Sequence, residues 1–171
     1  MELVFTDREG PEERWLAAGG DAEALVAAPV TPVTEELIAR MPHLKLIHSD
    51  GVGYDRIDLA AARERGIYLI AGSLPELEGH RVYNTSFVYA PDGTCIARHR
   101  KIHLFDIDVE GGQRFMESEV LSPGREVTTF DTPWGTMGLC ICFDMRFQEL
   151  CRLMALRGAR VIFAPAAFNM T

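Results

Sequence analysis

The sequence lacks the features that mark membrane and secreted proteins. No apolar run approaches the roughly 20 residues that a bilayer-spanning helix requires. The opening stretch, MELVFTDREG, has neither a basic n-region nor a long apolar stretch. Cysteines are few, and all four lie in the second half of the chain. Because cysteines without an export signal indicate reduced thiols, we expect a cytoplasmic protein that does not bind membranes.

Basic residues are also scarce. The 171 residues include 17 Lys and Arg against 25 Asp and Glu, which gives a net charge of −8. An acidic surface repels nucleic-acid phosphates unless a basic patch is segregated on it. The densest basic stretch, residues 98 to 103, is short and mixed with apolar residues. We therefore expect no nucleic-acid partner. Repeats and low-complexity segments are absent too, and 47% hydrophobic residues suffice for one full core or two small ones.

The first part of the chain, residues 1 to about 67, alternates short strands and helices. Helices are predicted after Pro11, after the N-cap Thr34 and in a stretch that ends at Gly66. The predicted strands are MELVFTD, EALVAAP and LKLIHSD. Such alternation indicates parallel strands joined by helical crossovers. We therefore expect an α/β fold that begins with a flavodoxin-like β-α-β segment.

From about residue 67 the predicted elements are mostly strands. IYLIAGS and RVIFAPAAF are predicted buried strands. Two hairpins are predicted, with turns at Asp92-Gly93 and between Pro133 and Gly135. One helix, RFQELCRLMALRGA, has apolar residues spaced i, i+3, i+4 and i+7 along one face. These residues are Phe147, Leu150, Cys151 and Met154.

One cysteine has a position suited to chemistry. Cys142 ends the apolar run GLCIC and is followed by FDMRFQEL, the predicted start of a helix. A nucleophile at a strand-to-helix corner is held rigidly, and the positive end of the helix favours its thiolate form. The alternative is a small buried side chain, which is the usual role of an unpaired cysteine. Cys140 lies deeper in the same run, and we expect it in the core.

Two charged residues favour the chemical interpretation of Cys142. Lys101 follows a predicted strand in ARHRKIHLFD. An ammonium beside a thiolate can stabilise it and can also hold the oxyanion of a tetrahedral intermediate. Glu117 adds a carboxylate in the same part of the chain. The alternative for Lys101 is an exposed, solvated side chain.

The stretch DIDVEGGQRFME, residues 106 to 117, nearly matches the calcium-loop pattern D-x-[DN]-x-[DN]-G-x₅-E. An EF-hand loop lies between two helices, whereas CIARHRKI before this stretch predicts a strand. Gln113 stands where an apolar residue is usual, and Glu110 is large for its position. We therefore expect no metal here. The stretch is predicted to be a long loop that leads Glu117 back towards Lys101 and Cys142.

Four separated motifs carry a family resemblance: RKIHLFD, ESEVLSPG, GLCICFDMRFQEL and FAPAAFNMT. Together with GIYLIAGS and YNTSFVYAPDG, they make residues 67 to 171 resemble the nitrilase superfamily of carbon–nitrogen hydrolases, and most of all its omega-amidase branch. The resemblance implies a partial nitrilase-type αββα sandwich. It also implies a small-molecule amide as substrate, in particular a dicarboxylate monoamide, with no metal or cofactor and with a homodimer as the expected assembly.

The same resemblance implies roles for individual residues. Cys142 is the expected nucleophile, and Glu117 is the expected positioning carboxylate. Lys101 and the backbone N–H of Phe143 are the expected oxyanion donors. The family's third partner, a general-base glutamate in an L-P-E or F-P-E motif, is missing from this sequence. Asp50, at the end of LKLIHSD, is a candidate replacement, but it is one methylene shorter, and small misplacements of a base can cost orders of magnitude in rate.

Residues 24 to 67 resemble a different family. VTEELI, PHLKLI, GVGYDRIDL and AARERGI occur in the order found in the substrate domain of D-2-hydroxyacid dehydrogenases. The dinucleotide-binding domain of those enzymes, with its G-x-G-x-x-G loop, is absent. Gly51-Val-Gly53 is no substitute, because Arg56 stands where the third glycine is needed. We therefore expect no dehydrogenase activity.

We expect two parts, residues 1 to 67 and residues 68 to 171, joined near residues 66 to 70. A recombined or engineered chain is the leading interpretation, with a divergent natural chain as the alternative. The second part is expected to be truncated after AFNMT, which leaves both sheets incomplete. Three functions stay open: an amidase, an α/β protein with an inherited but incomplete site, and a module that binds a small hydroxy or keto acid near residues 51 to 53 without turnover.

Overall fold

The computed structural model describes Glu2, Val4 and residues 12–167. The predicted strand MELVFTD, apart from two of its residues, lies outside this part, as do the predicted helix opener Pro11 and the last four residues of the chain. Residues 1–67 and 68–171 are called the first and second segments below. Within the described residues, no helix is long and apolar enough to cross a membrane.

The first segment alternates helices and strands as predicted. Thr34 caps a helix by accepting a hydrogen bond from the Leu37 amide at 3.2 Å. Asp58 caps the next helix by accepting from the Ala61 amide at 3.0 Å, and Gly66 follows it with the positive φ of 68° that glycine tolerates best. In chain order the elements are α1 Glu12–Gly19, β1 Ala24–Ala27, α2 Glu35–Ala39, β2 Leu46–Ser49 and α3 Leu59–Glu64.

The predicted parallel pairing is confirmed. β1 pairs with β2 in parallel, with Ala24 opposite Leu46. β2 in turn pairs in parallel with β3, Tyr68–Ile70, which places Leu46 opposite Tyr68. Since β3 belongs to the second segment, one continuous sheet crosses the predicted junction.

The long strand β5 organises the rest of this first sheet. β3 and β4, Leu74–Glu78, lie one after the other along one edge of β5, Arg81–Tyr89, and β6, Cys95–Arg100, pairs with the other edge. The predicted β5–β6 turn is confirmed, because Asp92 accepts a hydrogen bond from the Thr94 amide at 2.8 Å and Gly93 has a φ of 87°. β4 was not predicted from the sequence.

A second, smaller sheet has three strands. β9 and β10 form the predicted hairpin with its turn at residues 133–134, and β11 pairs in parallel with β10. The helix α4 is shorter than predicted, because a 3₁₀ turn precedes it. The elements are β7 Asp106–Asp108, β8 Arg114–Met116, a 3₁₀ turn Glu117–Glu119, β9 Thr128–Thr132, β10 Gly135–Leu139, a 3₁₀ turn Cys142–Arg146, α4 Gln148–Leu156 and β11 Val161–Phe163.

Three apolar clusters show that the layers are ordered helix, sheet, sheet, helix. One cluster joins α2 and α3 to the first sheet. A second joins the two sheets face to face and includes Ile70, Val88 and Leu139. The third lies under α4 on the outer side of the second sheet and includes Leu150 and Met154. The predicted αββα arrangement of a mixed α/β fold is therefore confirmed.

Candidate active site

Cys142 lies at the end of the central strand of the second sheet. The hydrogen-bond ladder with the neighbouring chain continues past β10, since the Cys140 amide donates to the Phe163 carbonyl and the Cys142 amide donates to the Pro165 carbonyl, each at 3.0 Å. The backbone then turns sharply, and Cys142 has a φ of 47°. A non-glycine residue in the left-handed region costs on the order of 1 kcal/mol. The half-buried thiol is thus held at a tight corner.

This corner differs in one respect from the prediction. The sequence predicted that a helix starts directly after Cys142, whereas a 3₁₀ turn follows it and α4 begins at Gln148. The reason is the Asp144 side chain, which accepts a hydrogen bond from the Ile141 amide at 3.1 Å and so closes a tight turn before the helix begins.

Cys140 lies in the core, as predicted. It has no exposed surface and packs against Leu150 and Met154 under α4. Burial, together with the nearby Asp144 carboxylate, raises the pKa of its thiol to about 12. Cys140 is therefore protonated and unreactive at neutral pH.

Lys101 and Glu117 are brought into direct contact. The Lys101 ammonium donates to both oxygens of the Glu117 carboxylate, at 2.9 Å to Oε1 and 2.6 Å to Oε2. Lys101 is only 1% exposed. Its backbone is fixed on both sides, because its amide donates to the Asn84 carbonyl and its carbonyl accepts from the Gly124 amide, each at 2.8 Å. A buried ammonium is tolerated in a protein only when it is paired in this way.

The stretch that carries Glu117 is a hairpin, where the sequence predicted a long loop. β7 and β8 pair in antiparallel fashion with Ile107 opposite Phe115. At the end of this hairpin, Glu117 accepts a hydrogen bond from the Phe105 amide at 2.8 Å. Asp106 accepts one from the Ser118 amide at 3.0 Å. Asp106 and Glu117 therefore have separate protein partners, and no cluster of three candidate metal ligands occurs among the described residues.

Asp144, which the sequence analysis did not single out, connects the Lys101 and Cys142 regions. Its Oδ1 atom accepts hydrogen bonds from the Ile102 amide at 3.1 Å, the His103 amide at 2.8 Å and the His103 Nδ1 at 2.8 Å. Its Oδ2 atom accepts from the Ile141 amide at 3.1 Å and from His99 Nε2 at 3.0 Å. The available signal was that Asp144 and His103 stand inside the same motifs as Cys142 and Lys101.

The environment of Asp144 favours its charged form. The carboxylate has no exposed surface, and burial alone would raise its pKa. Hydrogen bonds from His99 and from the His103 and Ile141 amides outweigh burial and lower the pKa of Asp144 below its ordinary value. An ionised carboxylate only accepts hydrogen bonds, so both imidazoles donate to it.

Aromatic rings surround the corner that carries Cys142. The Phe143 ring packs edge-on against Phe105, with 5.0 Å between ring centroids, and against Phe147 at 5.4 Å. The His103 ring stacks on Phe147 at 3.6 Å. Phe143 is the second residue of the 3₁₀ turn, and amides in the first turn of a helix have no partner within that helix.

Asp50, the candidate replacement for the missing base, follows the end of β2. It is half-buried, and its amide donates to the Ala27 carbonyl at 2.8 Å. Within β2, the His48 ring contacts Phe163 of the second sheet, with 5.2 Å between ring centroids. The end of β2 that Asp50 follows therefore lies against the second sheet.

His48 itself is a buried polar side chain between the two sheets. It is 5% exposed, and its Nδ1 atom has no hydrogen-bond partner among the described residues. Burial lowers the pKa of His48 to about 4. The ring is therefore neutral at pH 7.

The loop at residues 51 to 53 packs against the start of β4. The Gly53 amide donates to the Ser73 carbonyl at 2.9 Å, and the Ser73 amide donates to the Gly51 carbonyl at 2.7 Å. The Ser49 hydroxyl donates to the Gly53 carbonyl at 2.6 Å. The Gly53 N–H is thus engaged within the protein.

The fold places the chain in a recognisable class of α/β sandwiches. Its structure is similar to that of Saccharomyces cerevisiae Nit3, described as a member of branch 10 of the nitrilase superfamily. The TM-score is 0.64 at 33% sequence identity, over 80% of this chain and 56% of Nit3. Residues 57–171, more than half of the chain, match the family model for carbon-nitrogen hydrolase. The chain belongs to the carbon–nitrogen hydrolase family.

Sequence relatives agree with this assignment. The chain is similar to the omega-amidase NIT2-B of Xenopus laevis, with 56% identity over 110 residues. It is also similar to the omega-amidase NIT2 of Homo sapiens, with 54% identity over 110 residues. Each alignment covers 64% of this chain and 40% of the relative. The chain therefore spans about 40% of the length of the omega-amidases that it matches.

A second family model matches the beginning of the chain. Residues 1–73 match the catalytic domain of D-isomer specific 2-hydroxyacid dehydrogenase. This match overlaps the carbon-nitrogen hydrolase match between residues 57 and 73. The overlap includes α3 and β3, the elements around the predicted junction.

Proposed function

We propose that the chain hydrolyses small carboxylic amides through a cysteine thioester. Cys142 attacks the amide carbonyl carbon, and the new S–C bond turns the carbonyl oxygen into an oxyanion. The C–N bond then breaks, and the nitrogen leaves as ammonia with the proton that the thiol released. Water hydrolyses the thioester, which yields the acid and restores the thiol.

The observation that carries this proposal is the buried pair of Lys101 and Glu117. An ammonium that is 1% exposed and donates to both oxygens of one carboxylate has a fixed position and charge. Such a preorganised charge is suited to an oxyanion, since it costs no reorganisation during the reaction. We assign this role to Lys101 together with the Phe143 N–H, and we assign the positioning of Lys101 to Glu117.

The substrate class comes from the relatives. The carbon-nitrogen hydrolase family model covers the whole second segment, which carries the four proposed site residues, and the omega-amidases are relatives of this chain over 110 residues. We infer a small monoamide of a dicarboxylic acid as substrate. We also infer that Asp50 replaces the missing general-base glutamate, because it directly follows β2, whose His48 ring contacts the second sheet.

We infer that the first segment, from a D-2-hydroxyacid dehydrogenase-like source, serves as a scaffold that extends the first sheet. It supplies β1 and β2, and β2 pairs with β3 of the second segment. Binding of a hydroxy acid at residues 51 to 53 is disfavoured, because the Gly53 amide already donates to Ser73. We propose that residues 1–67 and 68–171 are two parts of different origin that share the first sheet.

We further infer a homodimer and a cytoplasmic location. Leu153 and Leu156 on α4 are 46% and 73% exposed, which leaves an apolar helix face available to a second copy. All four cysteines are free thiols, as expected in a reducing compartment. Sedimentation of the wild type beside Leu153→Glu tests the dimer: a monomeric wild type would contradict it, and a dimeric Leu153→Glu would contradict this interface.

The test of the amidase is ammonia release from a panel of amides. The panel pairs monoamides of four- and five-carbon dicarboxylic acids with uncharged amides of similar length. We expect turnover by the wild type, a preference for the dicarboxylate monoamides, and background rates from Cys142→Ala. Cys140→Ala is the matched control, because the buried thiol takes no part. Equal rates from the wild type and Cys142→Ala would favour the alternative, a protein whose site is inherited but incomplete.

A further inference from the structure

Asp144 is a buried carboxylate that none of the proposed chemical steps uses. It is the third residue of the 3₁₀ turn that begins with Cys142. Three of its five hydrogen bonds come from Ile102 and His103, the two residues directly after Lys101. One carboxylate therefore contacts both parts of the chain that carry the proposed nucleophile and the proposed ammonium.

These two parts belong to different sheets. Lys101 follows β6 of the first sheet, and Cys142 follows β10 of the second sheet. Apolar contacts between the sheets are not directional and leave room for small sliding movements. Five hydrogen bonds to one carboxylate fix distance and direction, because each has a preferred geometry. The separation between the two site residues thus depends on Asp144.

We infer that Asp144 is a positioning residue that sets the placement of the Lys101 ammonium relative to the Cys142 thiol. The inference rests on the roles proposed above for these two residues. Asp144 holds the Ile102 and His103 amides against the turn that carries Cys142, and Lys101 moves with them. His103 adds rigidity, since its ring both donates to Asp144 and stacks on Phe147.

A side chain that only capped the 3₁₀ turn would need fewer hydrogen bonds than Asp144 makes. A capping side chain satisfies an amide of its own turn, as Asp144 does with Ile141. The other four hydrogen bonds come from residues that are more than 40 positions away along the chain. Burial of an ionised carboxylate is costly, and a local cap does not require it.

The test measures alkylation of individual cysteines by iodoacetamide in the folded protein. Asp144→Asn keeps the shape of the side chain but places an amide N–H₂ where two or three donors converge. We expect Cys142 labelling at pH 7 to slow at least tenfold, because the ammonium no longer lies where the proposed site needs it. Mass spectrometry of the separate cysteine peptides gives the rates.

The other cysteines serve as internal controls. Cys95 is exposed and reports the intrinsic rate, whereas Cys140 is fully buried and is labelled only when the core opens. A slowed Cys142 beside a protected Cys140 supports positioning. Labelling of Cys142 at the wild-type rate in a folded Asp144→Asn variant would overturn it.

Lys101→Met separates positioning from general structural support. If Asp144 acts through Lys101, the double variant labels no more slowly than the slower of the two single variants. Additive slowing would mean that Asp144 acts independently of Lys101 and would overturn the inference. Wild-type labelling of Lys101→Met would remove the proposed role of Lys101 itself. If Cys142 is labelled slowly in Lys101→Met but at the wild-type rate in Asp144→Asn, the positioning role of Asp144 is overturned and the role of Lys101 is kept.

If Asp144→Asn does not fold, His103→Gln tests the positioning role of Asp144 instead. This change removes the stacked ring and its hydrogen bond but keeps the His103 amide. We expect Cys142 labelling to slow about threefold, in keeping with the loss of one hydrogen bond. Labelling at the wild-type rate would contradict the inference.

Discussion

The interiors of two regions of this molecule are built in different ways. The core between α2, α3 and the first sheet is made of aliphatic side chains such as Val33, Leu37 and Ile47, all at most 2% exposed. The region around Cys142 instead buries charged side chains, and Lys101 and Asp144 are at most 1% exposed. The Lys101 ammonium donates to both oxygens of Glu117, and the Asp144 carboxylate accepts hydrogen bonds from four residues.

The two kinds of interior differ in how they tolerate substitution. An apolar core tolerates many substitutions of similar volume, whereas a buried charge requires every partner in place. His48, at the seam between the two sheets, follows neither rule, since its Nδ1 atom is buried without a partner among the described residues. The two regions should therefore respond differently to matched changes.

The largest contrast is expected between the two lysines of the chain, Lys101 and Lys45. Lys45 is exposed and pairs with Glu23 in the first segment. Lys101→Met should reduce amide hydrolysis by about 10²–10³-fold, the usual cost of removing one oxyanion donor. Lys45→Met should leave the rate unchanged, because exposed ion pairs contribute little. Ammonia release measures the rates of both variants. Equal losses of rate would contradict the expected difference between the two regions.

The free energy of unfolding should depend on pH because of His48, which lies between the two sheets. Its pKa is about 4 in the folded protein and 6.5 ordinarily. Between these values the unfolded chain binds the proton and the folded protein does not, so stability falls as the pH drops. The loss should reach about 3 kcal/mol by pH 4.

Urea unfolding at pH 7, 5.5 and 4 measures this loss. His48→Leu should flatten the dependence over this range, and His80→Gln, at an exposed turn, should not. An unchanged slope in His48→Leu would mean that other groups cause it.

A smaller effect is expected at a close backbone contact beside Lys101. A Cβ atom on Gly124 would lie 2.2 Å from the Arg100 carbonyl oxygen, so the chain must shift. Gly124→Ala should lower the free energy of unfolding by about 2 kcal/mol and slow Cys142 labelling. Gly19→Ala is the control in the first segment, where the nearest atom is 3.7 Å away on Val4. Thermal melting compares the two variants, and equal stability would contradict the expectation.

The smallest effect concerns Glu76 on β4. The hydrogen bond from Arg100, with help from Thr85 and Arg98, lowers the pKa of Glu76 to about 2. Its stabilisation is present above the ordinary value of 4.5 and is lost as the pH falls towards 2. Glu76→Gln should cost roughly 1–2 kcal/mol at pH 7 after allowance for solvent screening.

Glu78, which is more exposed and shares Arg100, provides the matched control for this pair. Glu78→Gln should cost less than Glu76→Gln in urea unfolding at pH 7. The reverse order would show that the more exposed pair, Glu78 with Arg100, contributes more to stability than the pair of Glu76 with Arg100.

Much of this fold was predictable because its signals are local. The Asp92-Gly93 turn, the Thr34 cap and the strand–helix alternation of the first segment each depend on neighbouring residues, and all were confirmed. β4 was missed because Leu74–Glu78 contains a proline and two glutamates. Its stabilising partners, Arg98 and Arg100, are more than 20 residues away.

The site was predictable only in part. The proximity of Lys101 and Glu117 followed from the motifs, and their contact agrees with it. The roles of Cys142, Phe143 and this pair remain predictions. Asp144 was missed because a single aspartate after a strand predicts a local cap, whereas four of its five hydrogen bonds come from residues 99–103, more than 40 positions away.

The continuity of the first sheet across residue 67 has a consequence for proteolysis. β3 is paired on both edges, and its residues Leu69 and Ile70 are almost fully buried. Cleavage that removed the first segment would strip β3 of its parallel neighbour and uncover an apolar strand edge, which is a template for aggregation. The two halves are therefore inseparable in practice, whatever their origins: a protease that cuts near residue 67 should yield precipitate and no surviving half.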